Sequence, residues 1–289
     1  MSDTRVLAAG LYFGEGPRWH DGRLWFSDFY AHAVKSVDES GTVRTEIDLD
    51  DQPSGLGWLP DGRLLVVSMK ERVVKRLDAG KLVVHADISH LTAFLCNDMV
   101  VNAWGTAWIG NFGFDLDAEL DARGEEVFHN HPVTNLVRVD ADGSVHLAAG
   151  DMHFPNGSVI TPDGKTLIVA ETFASCLTAF TIADDQSLTN RRIWASLPGV
   201  APDGICLNEN QQVWVANALG CEVLLVAEGG EIVNRIATSQ NCYACMLGGS
   251  DGKTLFAVTA ASSHGAHAAA ETTGKIEVVA VDAAGAGWP

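Results

Sequence analysis

Glu15, Asn97, Asn156 and Asp203 carry oxygen donors, and they stand at matched points of a repeated pattern. Each precedes a short polar turn that runs into an apolar strand. The six copies of that turn and strand are HDGRLWFSD (20–28), PDGRLLVVS (60–68), NAWGTAWIG (102–110), PDGKTLIVA (162–170), NENQQVWVA (208–216) and SDGKTLFAV (250–258). In the two remaining copies the matched position holds Ser54 and Ala244. Repeats put equivalent residues at equivalent points in space, so copies arranged about an axis would turn these positions into a ring. Carboxylates together with amide carbonyls are the ligand set of a hard divalent cation such as Ca²⁺, Mg²⁺ or Mn²⁺. The ring has neither His nor Cys, which argues against a typical zinc site. Two carboxylates facing each other without a cation would repel, and one would hold its proton to higher pH. The plainer account is that Asn and Asp cap β-turns here, as they often do. Four oxygen donors at matched positions favour the metal.

The elements that must carry this ring read as strands. Segments between turns are short and rich in Val, Ile, Leu and Trp. Several split at a turn dipeptide into hairpins, as in VVKRLDAGKLVVHAD (73–87), NLVRVDADGSVHLAAG (135–150) and EVLLVAEGGEIVNRIA (222–237). ELDARGEEVF (119–128) comes closest to a helix, but its glycine and short span suggest a loop or a single turn. Successive copies are spaced by roughly 40 to 46 residues, with one gap near 60, which leaves room for about four short strands per copy. The expected fold is all-β, a six-bladed β-propeller with four-stranded antiparallel blades, forming a single domain over 1–289. The long gap places an insertion at about 111–133, a candidate lid over a binding site. RVLAAG (5–10) and KIEVVAVD (275–282) are expected to share a blade and close the ring.

Composition narrows the partners. A net charge of −18 disfavours nucleic acid and anionic membranes, both of which need basic patches. No apolar run is long enough to span a bilayer. MSDTRVLAAG lacks the basic start and apolar stretch of a signal peptide, so a cytoplasmic location is expected. The six cysteines are expected to act as small, partly buried hydrophobes. Cys242 and Cys245 form a C-x-x-C, but without the helical context of a redox motif or the second pair of a zinc site. A small-molecule substrate is the expected partner, and oligomeric state is left open.

The contexts of the ring residues resemble a known family. GEGPRW around Glu15, CNDMVV around Asn97, FPNGSVITPDGKTLIVAET around Asn156 and APDGICLNENQQVWVAN around Asp203 are similar to the regucalcin/gluconolactonase family, which includes proteins described as luciferin-regenerating enzymes. The resemblance extends nearly the whole length, to CMLGGSDGKTLFAVTA (245–260). It implies a six-bladed propeller with one divalent metal in its channel, Ca²⁺ foremost, with Mg²⁺, Mn²⁺, Zn²⁺ or Fe²⁺ as other occupants. It implies Glu15, Asn156 and Asp203 as metal ligands and Asn97 as a further ligand or substrate contact. Asp203 is also implied as general base, a role that competes with tight ligation. The implied activity is metal-dependent hydrolysis of a lactone, with the cation polarising the carbonyl while water attacks.

One departure stands out. Sugar-lactone members often have an arginine two residues before the position of Asn97, and this chain has Leu95. Phe13, Phe94, Phe112, Phe114, Phe154 and Phe173 are placed to surround the pocket mouth, although some would be core residues between blades. An apolar rim favours a substrate less polar than a sugar lactone. Leu95, Asn97, Phe112 and His153 are therefore the candidate substrate contacts. His153 is the histidine expected to point inward, and SSHGAHAAAE (262–271) reads as a mobile loop. No G-x-S-x-G elbow supports a seryl nucleophile. Two other readings stay open: a phosphotriesterase-like hydrolase using the same cation, and a non-catalytic propeller scaffold whose metal is structural. Divergence of the ring positions into different chemical types speaks for one asymmetric site.

Overall fold

The computed structural model describes residues 3–289. Its strands form six four-stranded antiparallel sheets, each a blade of a six-bladed propeller. Blades 1 to 5 are consecutive meanders beginning at Gly14, Pro53, Cys96, Pro155 and Pro202. Blade 6 combines Cys242–Gly248, Thr254–Thr259 and Gly274–Ala280 with the early strand Arg5–Leu11 on its outer edge. The chain thus closes its own circle as expected, and the strand Gly274–Ala280 is paired on both sides.

The innermost strands are Gly14–His20, Pro53–Trp58, Cys96–Val101, Pro155–Ile160, Pro202–Leu207 and Cys242–Gly248. Each packs against the innermost strands of the two neighbouring blades, and the first meets the sixth. Such close approach restricts side chains at the axis. A Cβ on Gly55 would lie 2.3 Å from the Met99 nitrogen, and one on Gly204 would lie 2.6 Å from the Ala244 Cα. Glycine recurs beside the ring residue because the next blade's backbone occupies the space of a side chain.

The repeated apolar segments form the second strand of each blade and supply the core between blades. Trp108, Trp214, Phe26 and Phe256 on these strands are among the largest fully buried side chains. Each stabilises the fold by about 2–3 kcal/mol relative to exposure. At the end of the channel away from the ring residues, the C-terminal segment bridges two blades. Trp288 pairs with Ile160, and Gly285 pairs with Asn208.

Two segments differ from their expected form. The insertion holds a helix, Leu116–Arg123, followed by a 3-10 turn, Gly124–Phe128. The helix starts earlier than the ELDARGEEVF window because Asp115 caps it, its side chain accepting from Ala118 N at 3.1 Å. Gly124 ends it at φ +59°, where L residues are strained. Residues 262–271 include a short helix, Gly265–Ala268, instead of an open loop. The two helices meet: Gly265 N donates to Asp117 Oδ2 at 2.9 Å, and His264 Nε2 lies 3.2 Å from Asp121 Oδ1.

Candidate metal centre and its cavity

Every ring residue sits within an innermost strand, at its second position in blades 1 to 5 and at its third in blade 6. In each blade the pairing register slips there, between Glu15 and Arg18, Pro53 and Leu56, Cys96 and Met99, Pro155 and Ser158, Pro202 and Ile205, and Cys242 and Ala244. A bulge re-aims the residue that it carries. In blades 1 to 5 the ring residue is thereby turned to the axis, whereas in blade 6 the slip falls on Tyr243, which lines the cavity in place of Ala244.

The result is one cavity of about 200 Å³ lined by Glu15, Ser54, Asn97, Asn156 and Asp203. The carboxylate and amide residues among them are nearly inaccessible, with Glu15 7% exposed, Asn97 4%, Asn156 8% and Asp203 6%. Their amide nitrogens are tied to neighbouring groups. Asn97 Nδ2 donates to Pro155 O at 3.1 Å, and Asn156 Nδ2 reaches Thr172 Oγ1 at 3.4 Å. Thr172 Oγ1 in turn donates to Pro202 O at 2.8 Å. Asn97 Oδ1 and Asp203 Oδ1 are buried without any hydrogen-bond partner. An unsatisfied buried acceptor is costly, so two at one site call for a ligand that both can share.

Electrostatics give the same sign. Burial pushes the Glu15 carboxyl well above its ordinary range, and the Asp203 and Asp98 charges add to it. Burial likewise raises Asp203, with Asp98 as the next cause. Asp98 also lines the cavity, but Arg18 engages it at 2.7 Å. Arg18 is fixed by Leu56 O at 3.1 Å and Pro17 O at 2.7 Å. With all three carboxylates ionised, Glu15, Asp98, Asp203 and Arg18 leave two negative charges to be balanced. Among the described residues, no three His, Cys, Asp or Glu side chains gather as a metal cluster by themselves. Two carboxylates completed by asparagine oxygens, with two acceptors unpartnered, fit a hard divalent cation.

Leu95 and Phe112 line the same cavity, as do Phe13, Phe154 and Phe173. His153 does not line it. Its Nδ1 lies 2.9 Å from His131 Nε2, and its backbone N–H donates to Glu171 Oε2 at 2.7 Å. The bulge aims Asn156 inward, whereas His153 lies ahead of the strand and packs against the insertion. Phe114 is buried in the cluster behind the wall, and Phe94 lines a neighbouring surface hollow. Among the cysteines only Cys221 is exposed; Cys206 and Cys245 lie 3.9 Å apart at sulfur and are unbonded.

Sequence reasoning missed several residues that line the cavity or hold its lining in place. Asp98 and Arg18 lay inside the motifs CNDMVV and GEGPRW, but nothing local signalled their pairing across blades. Phe29, Met69 and Tyr243 come from strand ends and turns. Leu116, Leu120 and Phe128 come from the helical insertion.

Residues 13–261 match the SMP-30/Gluconolactonase/LRE-like region. The pentonolactonase of Haloferax volcanii is 25% identical over 268 residues, covering 90% of this chain and 86% of its own. The 6-deoxy-6-sulfogluconolactonase of Pseudomonas putida is 25% identical over 278 residues, covering 92% and 89%. Among solved structures, the calcium-binding protein regucalcin from Agrobacterium tumefaciens superposes with a TM-score of 0.77 at 19% identity, covering 99% of this chain and 95% of its own. Both curated relatives are named for lactone hydrolysis. The chain belongs to the SMP-30/gluconolactonase/LRE-like family.

Proposed function

We propose that the protein is a divalent-metal-dependent lactonase, with Glu15, Asn156 and Asp203 as the metal ligands. The observation that carries the reading is the convergence of four oxygen-donor side chains from blades 1, 3, 4 and 5, two of them with unpartnered buried oxygens. Calcium suits an all-oxygen set of this kind, and the regucalcin neighbour is described as calcium-binding. When bound, the cation supplies Lewis-acid polarisation of the lactone carbonyl.

The chain's own residues do the rest. Asn97, its amide nitrogen tied to Pro155 O, presents Oδ1 to the substrate or to the cation. The Asp203 carboxylate, one oxygen of which would face the cation, takes a proton from water as the water oxygen bonds to the carbonyl carbon. The acyl–oxygen bond of the ring then breaks, and the leaving ring oxygen takes that proton back from Asp203 to give a hydroxy acid. Arg18 keeps Asp98 paired, so Glu15 and Asp203 are the carboxylates left to meet the cation, and Asp203 also serves as the base. Leu95 and Phe112 bound the substrate on one side, and apolar walls there favour a substrate less polar than a sugar lactone.

The test is hydrolysis by protein stripped with a chelator and then reconstituted with Ca²⁺, Mg²⁺, Mn²⁺ or Zn²⁺. Activity should vanish on stripping and return with at least one ion. Stripped protein that hydrolyses lactones at the full rate would overturn the metal role.

A further inference from the structure

Two aromatic walls stand on opposite sides of the cavity. Phe13, Phe29 and Tyr243 form one from blades 1 and 6, with ring centroids 5.3 and 4.8 Å from Phe13. Phe112, Phe154 and Phe173 form the other from blades 3 and 4, with successive centroids 4.6 and 4.7 Å apart. In a six-bladed ring, blade 1 faces blade 4 and blade 6 faces blade 3, so the walls stand on facing blades, joined at one side where Leu95 and Phe112 pack against the cluster of Phe13, Phe29 and Tyr243. The insertion roofs the gap with Leu116, Leu120 and Phe128. The polar ring lies at the floor.

The charges are equally one-sided. Among the described residues, no Lys, Arg or His lines the cavity, whereas Glu15, Asp98, Asp117 and Asp203 do. Asp98 is engaged by Arg18, Asp117 by Gly265 N–H, and the Thr172 hydroxyl by Pro202 O. A polyhydroxylated ring would find partners only in Gln52, Ser54, Tyr30, Ser263 and the polar ring, with its remaining hydroxyls against phenyl faces, and an anionic substituent would meet carboxylates and no cationic side chain. A flat apolar ring would instead gain burial and stacking on both sides. A cavity of about 150 Å³ holds one benzene, so about 200 Å³ suits a ring fused to a lactone and excludes a long chain.

Building on the lactonase reading, we propose that the substrate is an uncharged lactone with a compact aromatic ring. Its carbonyl sits at the polar floor, and its ring lies between the two aromatic walls beneath Leu116, Leu120 and Phe128. The insertion helix is then a specificity element.

The experiment compares three lactones with the metal-reconstituted protein: a benzo-fused six-membered lactone (an isochromanone), the same compound bearing a carboxylate, and glucono-δ-lactone. Each kcat/KM is divided by that lactone's own hydroxide-catalysed rate, so that ring reactivity does not enter. The isochromanone should exceed glucono-δ-lactone by about a hundredfold and its carboxylated analogue by at least about tenfold. Binding of the isosteric, unreactive lactam is measured in parallel by calorimetry, and Leu120→Ser should weaken it about tenfold.

Preference for glucono-δ-lactone without lactam binding overturns the substrate class and leaves lactone hydrolysis standing. Lactam binding with no lactone hydrolysed supports the ligand class and overturns the hydrolytic reading. Equal rates for the neutral and carboxylated compounds overturn the exclusion of anions. Lactam affinity untouched by Leu120→Ser overturns the placement under the helix. Absence of both binding and hydrolysis overturns the proposal.

Discussion

At the scale of single residues, Asp203 carries the sharpest expectation. It lines the cavity with an unpartnered Oδ1, and its Asn variant keeps the shape while losing the charge and the basicity. Asp203→Asn is expected to lower kcat by roughly 10² to 10⁴. Its circular dichroism and melting should remain those of a folded propeller. A variant that turns over at the parent rate would remove Asp203 from the chemistry. Protons offer a second measurement. Burial raises both Glu15 and Asp203, with the Asp203 and Asp98 charges adding to Glu15 and the Asp98 charge adding to Asp203, so each keeps a proton at pH values where an ordinary carboxylate has lost it. A folded pKa above the unfolded value means that the metal-free fold loses stability as pH rises through that window. An entering cation must displace those protons. Apparent affinity should therefore rise with pH until the raised values are passed, and the thermal stabilisation by cation should grow in parallel. Calorimetric titrations in two buffers of different ionisation enthalpy would count the protons released. Zero release throughout the acidic range would mean that the pair is already ionised.

At the scale of elements, the bulged innermost strand is the working part. Its glycines are set by the neighbouring blade more than by any local turn. Gly204→Ala would drive a Cβ to 2.6 Å from the Ala244 Cα, against backbone that cannot step aside. It should cost about 1–3 kcal/mol or more, read as a lower denaturant midpoint. Gly150→Ala is the control. Its nearest neighbour would be Asn135 Oδ1 at 3.7 Å, and it should change stability by no more than about 0.5 kcal/mol. The same strands explain what was legible beforehand. Repeated turns and apolar strands announce themselves locally, so the blades and the positions of Glu15, Asn97, Asn156 and Asp203 could be read directly. The pairing of Arg18 with Asp98 joins blades 1 and 3 through space, and no spacing in the chain encodes it. The helix Leu116–Arg123 escaped because its two turns are too short for periodicity to register. His153 was misjudged because it stands three residues ahead of Asn156, before the bulge that turns a side chain to the axis.

At the scale of the whole molecule, the ring must hold its circumference for four separate blades to keep their donors within reach of one ion. Closure depends on the strand Arg5–Leu11, which pairs with Gly274–Ala280 and buries Leu11 to 2% exposure. The preceding residues tie this edge to blade 5: Asp3 N donates to Ala237 O, and Ala237 N returns a bond to Asp3 Oδ2, both at 3.0 Å. A chain shortened to begin at Tyr12 would lose these bonds and expose Gly274–Ala280 as a free sheet edge, its Ile276 and Val278 no longer covered. It should melt several degrees lower and self-associate in light scattering. Metal affinity should fall as well, because blades 6 and 1 flank the gap and Glu15 belongs to blade 1. A synthetic peptide spanning residues 1–13, added in trans, should pair with the open edge and recover both melting temperature and affinity. If the shortened chain melted and bound its cation like the full one, the six innermost strands alone would hold the circle, and the fourth strand of blade 6 would serve only to cover an edge.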